Sequence, residues 1–190
     1  GQDVAANKFA AAERQIEKLI RRDRNHPCVA FWSVSNETYD FHPDVAEGNA
    51  KLVRYAKSLD PSRLAVHVLN FWHEDPRPRF AADDVLCVNA YPSLSLRSKV
   101  GSEPYDYRWS TEAWRKDLAR LHEHCPGRPI FVTEFGHPAI EGLGQGPWGM
   151  DATVAALEAE SAGMDAPYIC GALVWCWADH PWPEMYLPPG

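Results

Sequence analysis

The sequence predicts an α/β protein built from right-handed β/α units around a parallel sheet. Three observations carry that reading. Short, mostly apolar runs recur along the chain, as strands buried on both faces require. Amphipathic stretches with helical spacing separate them. No internal repeat, low-complexity segment or linker divides the 190 residues, so a single domain over 1–190 is expected.

Residues 4 to 24 carry Phe9, Ala12, Ile16, Leu19 and Ile20 at helical spacing with charges between, and Asn25-His26-Pro27 closes that helix. Cys28 to Val34 reads as the first strand, followed by a loop holding Asn36, Glu37 and Tyr39. Asp44 is placed to cap the next helix, whose inner face is Val45, Leu52, Val53, Ala56 and Leu59, and Asp60-Pro61-Ser62 stops it. Leu64 to Leu69 is the second strand. Residues 71 to 82, with Pro76 and Pro78, read as loop with at most a short helix.

Val85 to Asn89 is the third strand, and Ala90-Tyr91-Pro92 leaves its end. Residues 93 to 109 form a long polar loop, a length that in compact domains often marks function. Ser110 or Thr111 caps a helix to about His124, with Trp114, Leu118 and Leu121 inward. Pro129 to Thr133 is the fourth strand, tipped by Glu134-Phe135-Gly136. After a Gly-rich loop over 142 to 149, Asp151 caps a helix to about Met164, and Ile169 to Trp175 is the fifth strand. Four of the last ten residues are proline, which excludes regular structure there.

A net charge of −7 with no Lys/Arg cluster argues against nucleic acid or an anionic membrane as partner. No run of about 18 apolar residues is present to span a bilayer. The start, GQDVAANKF, has neither an initiator Met nor the basic and apolar regions of a signal peptide, so the chain is expected to begin inside a longer protein or after trimming. Five cysteines form no CxxC pair and four sit in apolar runs, which suggests buried free thiols and a reducing, cytoplasmic setting. Eight tryptophans are many for this length; they serve cores as well as sugar faces.

Two carboxylic acids sit at strand tips, Glu37 and Glu134. All C-termini of a parallel sheet share one face, so both side chains belong to the same side, and in a closed barrel they would meet across the mouth. A retaining glycosidase needs such a pair about 5 to 5.5 Å apart. One acid protonates the leaving oxygen and the other attacks the anomeric carbon. The acid must hold its proton near neutral pH, and the nucleophile must stay ionised among hydrogen-bond donors. Asn-Glu alone is a weak signal, and a solvated loop residue is its ordinary meaning. Trp-Ser-x-x-Asn-Glu after one apolar run, with Thr-Glu-Phe-Gly after another, is a strong one.

The segments RDRNHPCVAFWSVSNE, LDPSRL, DVLCVNAY, PIFVTEFG and GALVWCWAD resemble the catalytic TIM-barrel domain of glycoside hydrolase family 2, over residues 12 to 179. The resemblance implies a retaining exo-β-glycosidase on a (β/α)8 barrel. It implies Glu37 as acid/base and Glu134 as nucleophile. Asn36 would bond the sugar 2-hydroxyl, Tyr91 would orient the nucleophile, Asn89 would line the site, and Trp175 would form a platform beneath the sugar. His137, just past Glu134, would line the pocket. The expected partner is a β-glycoside; no cofactor and no metal are implied.

The chain departs from the family in length, since a full barrel takes roughly 250 residues. Its five strands match strands 4 to 8. Strands 1 to 3, the preceding β-sandwich domains and the final helix have no counterpart. The chain is therefore read as the C-terminal part of the catalytic domain, partnered by the rest of its own polypeptide and, as a further option, by a second copy in a homo-oligomer. Both outer strands would be open edges with an exposed inner face.

Ser-Val-Ser-Asn-Glu, Asp-Val-Leu-Cys-Val-Asn and Thr-Glu-Phe-Gly are closer to the β-glucuronidase version than to the Gly-Asn-Glu of β-galactosidases. His137 is a galactosidase-like feature, and the Asn-x-Lys motif that grips a glucuronide carboxylate lies beyond this chain's end.

Other readings compete. A family 5-like glycanase would show Pro rather than Thr38 after Glu37. A catalytically incomplete half-barrel module for sugar binding or assembly would explain the length but not the paired acids. A purely structural α/β domain explains neither. His122-x-His124-Cys125 closes an amphipathic helix and reads as a helix end rather than a metal cluster. Gly142-x-Gly144-x-Gly146 follows no strand-to-helix turn and reads as loop.

Overall fold

A computed structural model describes residues 9–70, 75–94, 107–146 and 148–178. Helices and strands alternate: α1 (Ala10–Asp23), β1 (Phe31–Asn36), α2 (Pro43–Leu59), β2 (Leu64–Leu69), β3 (Leu86–Asn89), α3 (Arg108–His124), β4 (Ile130–Phe135), α4 (Met150–Ala162) and β5 (Ile169–Val174). The strands form one sheet in the order β1-β2-β3-β4-β5, every neighbouring pair parallel.

The sheet is curled. Phe31 on β1 and Phe131 on β4 stack with ring centroids 5.7 Å apart. Strands three places apart in a flat sheet lie about 14 Å apart, so their side chains touch only when the sheet bends towards them. The inner face holds a small cluster of Val66, Val68, Val85 and Cys87 against those two rings. The outer face packs on the helices in two larger clusters. One joins Trp32 and Ala65 to Ile16, Ile20, Leu52 and Val53; the other joins Leu69, Leu86, Ile130 and Val132 to Trp114, Leu118 and Leu121. Trp114, Leu118 and Leu121 thus face inward as their spacing requires.

Asp60 secures the turn between α2 and β2. Its carboxylate accepts the Trp32 indole N–H at 3.0 Å and the Arg63 guanidinium at 2.7 Å. The Ser62 hydroxyl first, then Arg63 and Trp32, hold its pKa well below the usual carboxylate range. This gives LDPSRL a structural meaning. The Phe9 ring packs over Gly48 on α2, where an added Cβ would come within 1.7 Å of it, so any side chain there would displace that ring.

Several boundaries differ from the sequence reading. α1 begins at Ala10, its Leu19 is exposed, and residues 1–8 lie outside the described residues. β1 starts at Phe31 rather than Cys28 and includes Asn36. The expected caps Asp44, Ser110, Thr111 and Asp151 fall inside their helices, whose N-cap positions are His42, Tyr107 and Gly149. Pro43 sets the helical φ at the start of α2. Ser110 turns its hydroxyl back to the Tyr107 carbonyl at 2.7 Å, and Asp151 accepts the Ala152 N–H at 2.8 Å. β5 stops at Val174, before Trp175.

Cys87 and Cys125 are buried, but Cys28, Cys170 and Cys176 are exposed; all five are free. The apolar runs at Cys28 and Cys170 lie at the two edges of the sheet, where no further strand covers them among the described residues. The proline-rich tail and most of the 93–109 loop lie outside the described residues. Among the described residues no helix is long and apolar enough to cross a membrane.

Candidate active site

Both carboxylic acids follow irregularities in strand pairing. Between Ser33 and Asn36, β1 advances three residues while its partner advances two, from Val66 to Val68. In the same way Val88 faces Val132, but Asn89 faces Glu134, so Thr133 is the extra residue of β4. A bulge bends a strand and re-aims the side chain that follows. Each bulge here lies just before a glutamate at the C-terminal end of its strand.

Glu37 adopts a left-handed backbone, φ 49°, while its N–H still donates to the Val68 carbonyl at 3.0 Å. That conformation is costly for a residue with a Cβ and persists where the surroundings over-determine it. Here the chain stays tied to β2 as it turns, which carries the carboxyl over the end of the sheet.

Asn89 is the hub. It is fully buried, and its amide donates to Asn36 Oδ1 at 3.1 Å and to Glu37 Oε1 at 2.9 Å. Its own Oδ1 accepts the Thr133 hydroxyl at 2.6 Å, which fixes which way the amide points. Asn70, at the end of β2, donates to Glu37 Oε2 at 3.2 Å. Tyr91 donates its hydroxyl to Glu134 Oε2 at 2.6 Å. Burial raises the pKa of Glu134 and the charge of Glu37 adds to it, while hydrogen bonds from Tyr91 and Asn89 oppose them. Burial and then Glu134 push the Tyr91 hydroxyl well above its usual value, so it stays a donor. The upward shift thus falls on the glutamate that the sequence reading expects to stay ionised.

Glu37, Asn36, Asn89, Tyr91 and Glu134 therefore form one hydrogen-bonded group at one end of the sheet. Trp175 lies beside it, half-exposed at 47%, its backbone N–H bonded to the Phe135 carbonyl at 2.9 Å. The His137 ring packs on Tyr107 and Trp148, and its Nδ1 faces the Pro138 carbonyl at 3.0 Å. Asn70 and Thr133 are not among the site residues that the sequence reading names. Asn70 carries a usable signal, because it follows an apolar run just as Asn36 and Asn89 do. Thr133 carries none, since its role depends on the bulge. Among the described residues no cluster of three His, Cys, Asp or Glu is arranged to hold a metal ion.

Chemically, this is a pair of carboxyl groups close enough to influence each other, with amide donors on one and a phenol on the other. Residues 4–181 match the family described as glycosyl hydrolases family 2, TIM barrel domain. A beta-glucuronidase of Streptococcus agalactiae is 31% identical over 136 residues, covering 70% of this chain and 22% of that protein. The human beta-glucuronidase is 31% identical over 179 residues, covering 86% of this chain and 25% of that protein. Among solved structures, the beta-D-glucuronidase of Dictyoglomus thermophilum superposes with a TM-score of 0.72 at 25% identity, over 86% of this chain and 28% of that one. A putative beta-galactosidase from Bacteroides fragilis gives 0.65 at 26%, over 86% and 24%. The chain spans about a quarter of the length of the curated relatives it matches.

Proposed function

This chain belongs to glycosyl hydrolase family 2 as part of its TIM-barrel domain, and from that premise we propose that it carries the catalytic pair of a retaining exo-β-glycosidase. The observation that supports this most is the Asn89 bridge. One buried amide bonds Glu37 and sits in register with Glu134, coupling two strand-end carboxyl groups from β1 and β4. In this reading Glu134 attacks the anomeric carbon through the oxygen that Tyr91 does not hold. Glu37 gives its proton to the departing glycosidic oxygen. A water then loses a proton to Glu37 and attacks the same carbon, releasing Glu134. Asn36 bonds the sugar 2-hydroxyl, and the half-exposed Trp175 supplies an apolar face for the ring.

The substrate in this proposal is a β-glucuronide in preference to a β-galactoside. The Ser-Asn-Glu and Thr-Glu-Phe-Gly sequences support it, as do the relatives named beta-glucuronidase. The remaining strands of the barrel come from the rest of the polypeptide that contains these residues.

The test is hydrolysis of nitrophenyl β-glucuronide, β-galactoside and β-mannoside by that whole polypeptide, followed by inactivation with the matching 2-deoxy-2-fluoro glycoside. The expected result is turnover of the glucuronide and a covalent adduct on the peptide holding Glu134. An adduct elsewhere, or inversion at the anomeric carbon, would sink the reading.

A further inference from the structure

β2 carries one titratable side chain among apolar ones, His67, and it is fully buried. Alternation along the strand sends Ala65, His67 and Leu69 to the helix side and Val66 and Val68 to the inner face. His67 therefore stands behind the sheet, away from the carboxyl pair. Its Nδ1 lies 2.8 Å from Asp83 Oδ1, which also accepts the His67 backbone N–H at 2.6 Å. Its Nε2 faces Asp40 Oδ2 at 3.5 Å, an ion-pair separation longer than a hydrogen bond. The Phe80 ring covers the imidazole at 5.1 Å.

Asp40 and Asp83 are only 3% and 5% exposed. Two buried carboxylates need a compensating charge. Burial lowers the proton affinity of His67, but the two facing carboxylates, Asp40 across the ion-pair gap and Asp83 through its hydrogen bond, outweigh it and raise the pKa to about 9. The other charged groups nearby are the buried Arg79 and, along a cleft bordered by Asp40, Glu47, Arg54 and Asp75. Arg128 reaches the Asp83 carbonyl. The Cys87 thiol stays neutral, pushed up to about 12 by burial and then by Asp83.

Asp40 lies three residues past Glu37, in a loop whose large side chains do not anchor it: Tyr39 and Phe41 are 68% and 50% exposed. Polar contacts hold it instead. Buried Asn49 accepts the Ser35 hydroxyl at 3.0 Å and donates to Thr38 at 2.8 Å, and the Asp40 N–H bonds the Thr38 carbonyl at 2.8 Å. The far end of the loop rests on His67.

We propose that His67 is a positioning residue: as an imidazolium it clamps Asp40 to Asp83 from behind the sheet, and so holds the loop that presents the Glu37 carboxyl to the glycosidic oxygen. The inference rests on Glu37 being the acid/base.

The test compares kcat/KM for dinitrophenyl and phenyl glycosides of the preferred sugar, using the whole polypeptide. A dinitrophenolate leaves without a proton, whereas a phenolate needs one. His67→Gln is expected to lose about tenfold or more on the phenyl glycoside, and less than about threefold on the dinitrophenyl glycoside. A loss of folded protein would lower both equally. Asp40→Asn, which removes the charge at constant size, is expected to give the same split and stands in should His67→Gln not fold. Equal losses on both substrates in protein folded to the wild-type extent, or none, overturn the clamp. Glu37→Gln separates the two ideas. If it shows the split and the His67 and Asp40 variants do not, only the clamp falls; if it shows no split, the acid/base reading falls and takes the clamp with it.

Discussion

The Tyr91 hydroxyl donates to Glu134 Oε2 at 2.6 Å, from two residues past the end of β3 to the bulged end of β4. The two are brought together by strand pairing, since Asn89 faces Glu134 and the Ala90 N–H bonds the Glu134 carbonyl at 3.1 Å. A phenol so placed favours the ionised form of Glu134 against the burial that raises its pKa.

Tyr91→Phe should therefore move the acid limb of the kcat/KM profile to higher pH, because Glu134 loses a donor that stabilises its charge. The loss of a hydrogen bond to a charged group, about 1.5–3 kcal/mol, corresponds to about ten- to a hundredfold in rate. A pH–rate profile checks this; an unmoved acid limb would contradict it.

Gly136 follows Glu134-Phe135 with φ +146°, and an added Cβ would lie 3.0 Å from the Trp175 carbonyl. Both the backbone angle and the contact oppose any side chain. Gly136→Ala should destabilise the fold by about 1–3 kcal/mol and weaken sugar binding through displacement of Trp175. Urea unfolding and KM measure the two effects; a wild-type midpoint and KM would refute the account.

His67 sets a pH window for stability. Its folded pKa of about 9 exceeds the ordinary 6.5, so its contribution is complete below pH 6.5 and is lost as pH rises through 9. The largest size of that contribution is roughly 3 kcal/mol. The stability gap between wild type and His67→Gln should be widest near pH 6 and shrink by pH 10. A gap independent of pH would show that His67 is neutral in the folded state.

Glu160 works in the opposite sense. It is fully buried on α4 and accepts the Ser93 N–H at 3.0 Å, and burial raises its pKa to about 7. An acid with a raised folded pKa costs nothing below its unfolded value, and its penalty grows as pH climbs towards 7. Glu160→Gln keeps an acceptor for Ser93 and removes the charge. It should leave the melting temperature unchanged near pH 4 and raise it at pH 8. Calorimetry at the two values decides the matter, and a lower melting temperature at pH 8 would count against it.

Among the described residues no strand pairs with the outer edge of β5, and Leu173, Val174, Trp175 and Trp177 are 54%, 51%, 47% and 101% exposed. Such a surface associates. The 190 residues expressed by themselves should self-associate in light scattering, whereas a monodisperse monomer at high concentration would show that the edge is tolerated.

The α/β class, the order of elements and the inward faces of α2 and α3 were legible in the sequence, because apolar spacing is a local property. So were Glu37 and Glu134, since each sits at a strand tip and parallel strands share one end; Asn89 and Tyr91 entered through the family resemblance. The sequence by itself thus determined that the two acids share one end of the sheet. Tertiary structure decided how they meet. The bulges at Val34-Ser35 and Thr133, the left-handed turn at Glu37, the donors Asn70 and Thr133 and the ion cluster around His67 all depend on register between strands, and one extra residue changes every partner beyond it. His137 illustrates the same division: the sequence put it just past Glu134, and only the tertiary structure set its ring against Tyr107 and Trp148. Local pattern selects faces and ends; pairing across the sheet selects hydrogen-bond partners, and those set the chemistry.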